Sequence, residues 1–245
     1  AATCAVAFWL LVWHVVSLCV GSELVLVSPV KVVQTLFTVI FDPDFLKTVW
    51  YSAARILGGF FTALMLGTVL GWVASRFWVV ETLLRPITAV IKATPVASFI
   101  ILVLLWFSGK NLSVIISMLM VFPVIYMNVL EGIRSADEEL LEMAQVFRLS
   151  VSKKLLYIYL PAVAPFFVSA CSVSLGLCWK SGIAAEVIGT PDGSIGAVFY
   201  QAKIFLQTSE LLAWTVVVVA VSVAFEKLFM FLLRLVLKKL KMEDV

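Results

Sequence analysis

The chain has 245 residues, of which 63% are hydrophobic and only 13% charged, and its formal net charge is +3. Its mean hydropathy of +1.12 is too high for a soluble domain of this length. The composition therefore excludes a water-soluble protein and predicts an integral membrane protein.

Six windows without a charged residue mark the predicted membrane spans, most of them close to the roughly 20 residues that a helix needs to cross a bilayer. We predict an all-α fold, with one membrane domain over 1–245 and six transmembrane helices. The third and sixth windows are short, and we expect each to borrow a turn from flanking apolar sequence. The windows are 1–22, 56–75, 93–109, 111–130, 155–179 and 211–225.

The distribution of Lys and Arg predicts that both ends of the chain are cytoplasmic. With this topology eleven Lys and Arg residues lie inside and six lie outside, as the positive-inside rule requires. The cytoplasmic segments then include a polar loop at about 131–161 and a basic tail at about 234–245. The main external loop is expected at about 181–209.

Before the second span, residues from Pro29 to Phe41 have an amphipathic pattern and are followed by the turn signal Asp42-Pro43-Asp44. We expect a short helix lying on the outer membrane surface. The second span then carries small residues at four-residue steps, which predicts close packing against another helix. This small-residue stripe consists of Gly59, Ala63, Gly67 and Gly71.

The polar loop at about 131–161 carries charges together with an apolar stripe at helical spacing, formed by Leu140, Leu141, Ala144 and Phe147. A simple connection between two spans would not need such a stripe. The pattern predicts an amphipathic helix that docks onto another protein.

Two ionisable residues, Lys180 and Glu186, fall close to the predicted fifth span, where charge is costly. They could line a solute pathway together with Trp179, with Lys180 attracting an anion. Alternatively, Lys180 could pair with Glu186 across a break at Gly182, or extend to the outer surface, and Glu186 could have a structural or gating role.

The sequence contains no catalytic or nucleotide-binding motif. Gly109-Lys110 lacks the remaining glycine of a phosphate-binding loop. The single histidine and four dispersed cysteines predict no metal site. We expect a non-enzymatic protein that holds no cofactor itself.

The run EMAQVFRLS at 142–150, followed by Leu160-Pro161-Ala162, resembles the cytoplasmic EAA loop of permease subunits of binding-protein-dependent ABC importers. The segments LLWFSG at 104–109, GIRS at 132–135 and AAE at 184–186 resemble the nitrate, sulfonate, taurine and bicarbonate branch. This resemblance covers nearly the whole chain and implies the type I importer fold in a prokaryotic inner membrane.

The resemblance also implies partners and roles. Two ABC ATPase subunits would bind ATP and Mg and contact the polar loop at about 131–161, which would then be the coupling loop. A second permease copy would complete the pathway, and an external binding protein would deliver the solute; no nucleic acid is implied. Arg148 stands where the family pattern has glycine, so the turn could differ in shape, or Arg148 could contact the ATPase or cap the helix by its charge. The implied coupling positions are Leu141, Glu142, Met143, Ala144, Phe147, Arg148, Leu149 and Ser150.

Two other classes remain open from the residues. An ion-coupled secondary transporter would need internal repeats and buried carboxylates near the middle of the membrane, and the sequence has few candidates. A membrane scaffold protein would explain the docking helix but neither Lys180 nor Glu186.

Overall fold

The computed structural model describes residues 2–22 and 24–239, and these form helices joined by short turns, which confirms the all-α class. A π-helical segment, Leu155–Tyr159, joins α8 to α9 without a break. The helices are α1 Ala2–Val20, α2 Pro29–Ile40, α3 Phe45–Arg76, α4 Trp78–Ala93, α5 Val96–Trp106, α6 Gly109–Arg134, α7 Glu138–Val146, α8 Val151–Lys154, α9 Leu160–Gly189, α10 Ile195–Ile204 and α11 Thr208–Lys239.

Four helical stretches in the described ranges are long and apolar enough to cross a membrane: α3, α6, α11 and the continuous stretch Val151–Gly189. The pair α4 and α5 would make a fifth span if it counts as one. The apolar stretch of α1, Cys4–Val20, is shorter. The predicted six spans and the orientation of both termini are therefore not confirmed.

The predicted third span, 93–109, contains only the 11-residue helix α5, Val96–Trp106, which does not continue into the preceding sequence as expected. Helix α4 ends at Ala93, and α5 leaves it at an angle of 110°. The cause is Pro95, because proline pushes the preceding residue away from helical angles. Thr94 has an extended ψ of 132°, so the chain turns there.

Helix α2 forms where the amphipathic pattern predicted it. The Ser28 hydroxyl caps it by accepting a hydrogen bond from the Lys31 amide at 3.3 Å. Val32 and Val39 are buried on the face that packs against α11, whereas Val30 and Phe37 are exposed. The helix therefore has one face on the bundle and one apolar face turned outward.

Helix α6 lies at the centre of the bundle, with its most extensive contacts to α3 and α9. The main apolar core is formed by buried side chains from all three helices, among them Ile56, Phe60, Ile125 and Leu175. Helix α6 ends at Arg134 and leads directly into α7, and the chain returns from α7 into α9. The core helices thus flank the coupling loop.

The small-residue stripe of α3 packs against α6 of the same chain. A β-carbon added to Gly59 would contact the Val114 carbonyl oxygen and lie 2.8 Å from the Ser117 Cβ. The same addition at Gly67 would come within 2.9 Å of Ile125. Because α6 covers this stripe, it gives no support to pairing between two copies of the chain.

Helix α9 continues without a break through Lys180 to Gly189. The external loop predicted from about 181 therefore begins only at Thr190, and it is followed by α10. Pro165 lies inside α9 without ending it. The break at Gly182 that was considered from sequence does not occur.

The adjacent glycines 58 and 59 provide a matched test of the α3–α6 packing. We expect Gly59→Ala to lower the free energy of unfolding by about 1–3 kcal/mol, the usual cost of overpacking a core. Gly58→Ala should not lower it, because nothing lies within 4 Å of a β-carbon there. Thermal unfolding of both variants in detergent measures the difference; equal stability would contradict the close approach.

Candidate functional site

Helix α7, the candidate coupling helix, has a well-defined start. The Asp137 Oδ1 accepts a hydrogen bond of 2.9 Å from the Glu139 amide. Glu138 and Glu139 place negative charge in the first turn, where it interacts favourably with the helix dipole. These residues explain why a nine-residue helix forms inside a surface connection.

One face of α7 is attached to the rest of the protein through Ala144. This residue is 0% exposed and packs in a small cluster with Ala136 and Ile158. Leu141 and Leu149 are half-buried against the same cluster. Ala144 therefore positions the helix and is not available to a partner.

The opposite face of α7 presents large apolar side chains to the outside. Met143 is 46% exposed, Val146 79% and Phe147 70%, and Glu142 beside them is also exposed. Val146 was not identified from sequence, although its i, i+3 spacing from Met143 is the signal that could have found it. The structure thus separates the predicted stripe into an attached face and an exposed face.

Arg148 adopts the left-handed conformation that glycine usually takes after a helix, with φ of 51°. The Arg148 amide donates to the Gln145 carbonyl and the Leu149 amide to the Ala144 carbonyl, both at 3.0 Å. This is the Schellman pattern of a helix end. The alternative that arginine changes the shape of this turn is therefore wrong, and Ser150 then begins α8 as its N-cap residue.

At the other end of the bundle, Glu186 of α9 is fully buried. Its Oε2 accepts hydrogen bonds from the Ser52 hydroxyl at 2.6 Å and from the Gly196 amide at 3.3 Å. The Ser52 hydroxyl oxygen also accepts from the Ile195 amide at 2.9 Å. Glu186 therefore connects α3, α9 and the N-terminus of α10, whose free amides favour a carboxylate.

The Glu186 site is not fully satisfied within the described residues. Its Oε1 and the Ser113 hydroxyl of α6 are buried without a hydrogen-bond partner there. Gly196 is required because a β-carbon would collide with Glu186. Sequence reasoning missed both Ser52 and Gly196, since nothing local distinguishes them from other small residues.

Lys180 lies on the same helix but in a different environment. It is exposed, and the structure records no ion pair to it in the described ranges. The considered pairing with Glu186 does not occur, because Glu186 bonds to Ser52 and Gly196 instead. Lys180 lines a groove of about 440 Å³ between α9, α10 and α11.

Trp179 and two hydroxyl residues also line this Lys180 groove. Trp179 is almost completely buried, and its indole N–H has no partner among the described residues. Thr215 and Ser222 belong to the wall that α11 contributes. The groove therefore combines a cation with polar groups on an apolar background, as small-molecule sites do.

The family model for the inner membrane component of binding-protein-dependent transport systems matches residues 63–242. The chain belongs to this family. The match covers the small-residue stripe from Ala63 onward, the coupling loop, Lys180 and Glu186.

Named relatives place the chain in the branch that the sequence predicted. It is 29% identical to the putative aliphatic sulfonates transport permease protein of Bacillus subtilis over 86% of this chain and 77% of the relative. It is 27% identical to the taurine transport system permease protein of Escherichia coli, over 87% and 80% respectively. The nitrate import permease protein of Synechocystis is 26% identical, over 80% and 73%.

A solved structure supports the fold. The structure, described as an amino acid ABC transporter with histidines, superposes with a TM-score of 0.60 at 16% identity and covers 83% of this chain and 97% of that chain.

The family match and the named relatives show that the chain is a multi-pass permease of an ABC importer in the cytoplasmic membrane. Its relatives are transport permeases and not enzymes, and the family favours the importer over an ion-coupled transporter.

The Ser52–Glu186 hydrogen bond can be tested by stability. We expect Ser52→Ala to lower the free energy of unfolding by about 1–3 kcal/mol, because a buried carboxylate and the Ile195 amide both lose a partner. Ser169→Ala, which removes an exposed hydroxyl from α9, is the control and should change little. Thermal unfolding in detergent measures both, and an unaffected Ser52→Ala variant would contradict the network.

Proposed function

We propose that the chain couples ATP hydrolysis by separate cytoplasmic ATPase subunits to movement of the membrane helices, and that α7 is the contact. The observation that carries this proposal is the division of α7 into two faces. Ala144 attaches one face to the protein, while Met143, Val146 and Phe147 leave a compact apolar surface uncovered. Such clustered large side chains supply most of the energy in protein interfaces.

The chain connectivity supports a mechanical role for α7. Helix α6 enters the coupling loop at Arg134 and α9 leaves it after the π-helical segment, so a force on α7 acts on both central helices. Ala136 and Ile158, which hold Ala144, lie on the two arms of this connection. A displacement of α7 would therefore move the ends of α6 and α9 together.

The complete importer would contain further subunits. We propose two ATPase subunits that bind ATP and Mg, a second copy of this permease, and an external binding protein. The cytoplasmic location of α7 rests on the excess of Lys and Arg on its side of the bundle. Glu142 and Arg148, both exposed on the loop, would contribute polar contacts around the apolar surface.

Removing the Phe147 ring tests the ATPase contact. We expect Phe147→Ala to lower ATP-dependent solute uptake by at least tenfold, because an interface anchor typically contributes about 2 kcal/mol or more. Cysteine at the same position should form a cross-link to the ATPase subunit. Uptake into membrane vesicles and cross-linking of the assembled transporter measure the two effects.

Phe41→Ala is the matched control. Phe41 is also an exposed phenylalanine at the C-terminal end of a helix, at 80% exposed, but it precedes α3 and is far from the coupling loop in the sequence. Its removal should leave ATP-dependent uptake unchanged. Normal uptake by Phe147→Ala together with no cross-link would rule out the proposed contact.

We also propose that the solute is a small anion. The relatives are named for aliphatic sulfonates, taurine, nitrate and bicarbonate. In this chain, the exposed Lys180 offers a cation to an oxyanion, and the hydroxyl residues Thr215 and Ser222 line the same groove. Glu186 does not enter this role, because it is buried within its own hydrogen-bond network.

Neutralising Lys180 tests the solute class. We expect Lys180→Gln to raise the half-saturating solute concentration for uptake about tenfold or more, since a charge-assisted hydrogen bond is lost. Lys47→Gln, which removes another exposed lysine on the predicted outer side, should have no effect. An unchanged concentration dependence in Lys180→Gln would remove this lysine from the solute pathway while leaving the ATPase contact untouched.

A further inference from the structure

A deep apolar groove of about 420 Å³ lies next to the coupling loop, separate from the Lys180 groove. Its walls come from α3, from α6 and from the stretch that joins α8 to α9. Apart from two hydroxyl residues and one tyrosine, the lining side chains are apolar. Prominent among them are Trp72, Val129, Ile133, Leu155, Tyr159 and Val163.

Positive charge is held beside this groove. The Arg76 guanidinium lies over the rings of two lining residues, 5.7 Å from the centroid of Trp72 and 5.6 Å from that of Tyr159. Lys153 and Lys154 stand in the chain between the lining residues Ser152 and Leu155. None of the residues lining the groove is acidic, so its charged surroundings favour an anion.

The π-helical segment belongs to the same groove. Leu155, Leu156 and Tyr159 of this segment line it. π-Helical turns are rare and occur frequently at functional sites, because they displace side chains from regular α-helical positions. Here the π-turn lies between α8 and α9, where the coupling loop joins the membrane helix.

We propose that this groove binds an anionic phospholipid, with one acyl chain against Trp72 and the π-helical segment and the phosphate held by Arg76 and the neighbouring lysines. An apolar groove bordered by cations matches the chemistry of such a lipid, which is apolar along its chains and negative at its headgroup. A protein partner would bring backbone polar groups into the groove, and its walls offer these almost no hydrogen-bond partners.

A lipid bound in this groove would affect transport through the arrangement of the coupling loop. The lipid would lie between α3 and the π-helical segment, through which the coupling loop continues into α9. It would therefore stabilise one arrangement of the coupling loop over others. The lipid site does not depend on the ATPase contact proposed above. It would stand even if α7 bound a different partner.

Quenching of tryptophan fluorescence by brominated lipids tests the proposal, because Trp72 is part of the groove wall. The full-length chain is reconstituted into phosphatidylcholine vesicles that contain either brominated phosphatidylglycerol or brominated phosphatidylcholine. We expect stronger quenching by the anionic lipid, and we expect Trp72→Phe to abolish this difference. Trp9→Phe, which removes an exposed tryptophan on α1, should preserve it.

The charged residue is tested in the same assay. Arg76→Gln should lower the preference for phosphatidylglycerol about fivefold, as expected for one cation near an anionic headgroup. Arg234→Gln, an exposed arginine on α11, should retain the preference.

Three outcomes would overturn the lipid site. The first is equal quenching by the two lipids, and the second is a preference that survives both Trp72→Phe and Arg76→Gln. The third is efficient cross-linking between cysteines placed at Leu156 of two chains, which would show that a second copy covers the groove.

Discussion

The close approach of α6 to its two neighbours is the constraint on which the rest of the structure depends. Toward α3, Gly59 and Gly67 leave no room for a β-carbon beside α6. Toward α9, Gly132 plays the same role, since an added β-carbon would lie 2.9 Å from the Cα of Val163. Without an appreciable hydrophobic driving force between helices in lipid, such backbone-close packing is a main source of association.

This packing connects the coupling-loop end of the bundle to the end that contains Glu186. Helix α6 also meets α9 at the opposite end, where Gly109 faces the Gly189 carbonyl. The three central helices are therefore joined along their length, and close-packed elements shift as units and do not deform continuously. A movement that begins at α7 would then reach the Glu186 network and α10 through the same helices.

The sequence predicted the parts of this architecture that depend on periodicity. The spacing of Leu141 and Ala144 indicated α7, and the amphipathic segment after Ser28 indicated α2, because each pattern reports which side of a helix is buried. The charge-free windows located α3, α6, α9 and α11 for a different reason, because a long apolar stretch is what a helix needs to cross a bilayer. At 93–109 the windows were less accurate, because hydropathy does not show that Pro95 turns the chain by 110° and that the helix begins only at Val96.

Contacts between residues that are distant in the chain could not be predicted from the sequence. Ser52 and Gly196 are small residues in apolar or turn-rich stretches, and only the fold brings them to Glu186. The same applies to the groove beside Arg76, whose walls come from segments separated by many residues. The sequence identified Glu186 and Lys180 as unusual residues in an apolar stretch. It did not show that Glu186 is buried and Lys180 exposed, because this difference follows from the packing of α10 and α11.

Arg148 shows how packing overrides a local preference at the turn that ends α7. A left-handed conformation costs a non-glycine residue about 1–2 kcal/mol. The turn retains it because the Leu149 amide bonds to the Ala144 carbonyl while the Leu149 side chain packs against the cluster around Ala144. The buried face of α7 thus fixes the backbone, and the Arg148 side chain is left exposed next to Phe147. Arginine at this position therefore keeps the turn shape that glycine usually gives and places a positive charge next to the exposed face of α7.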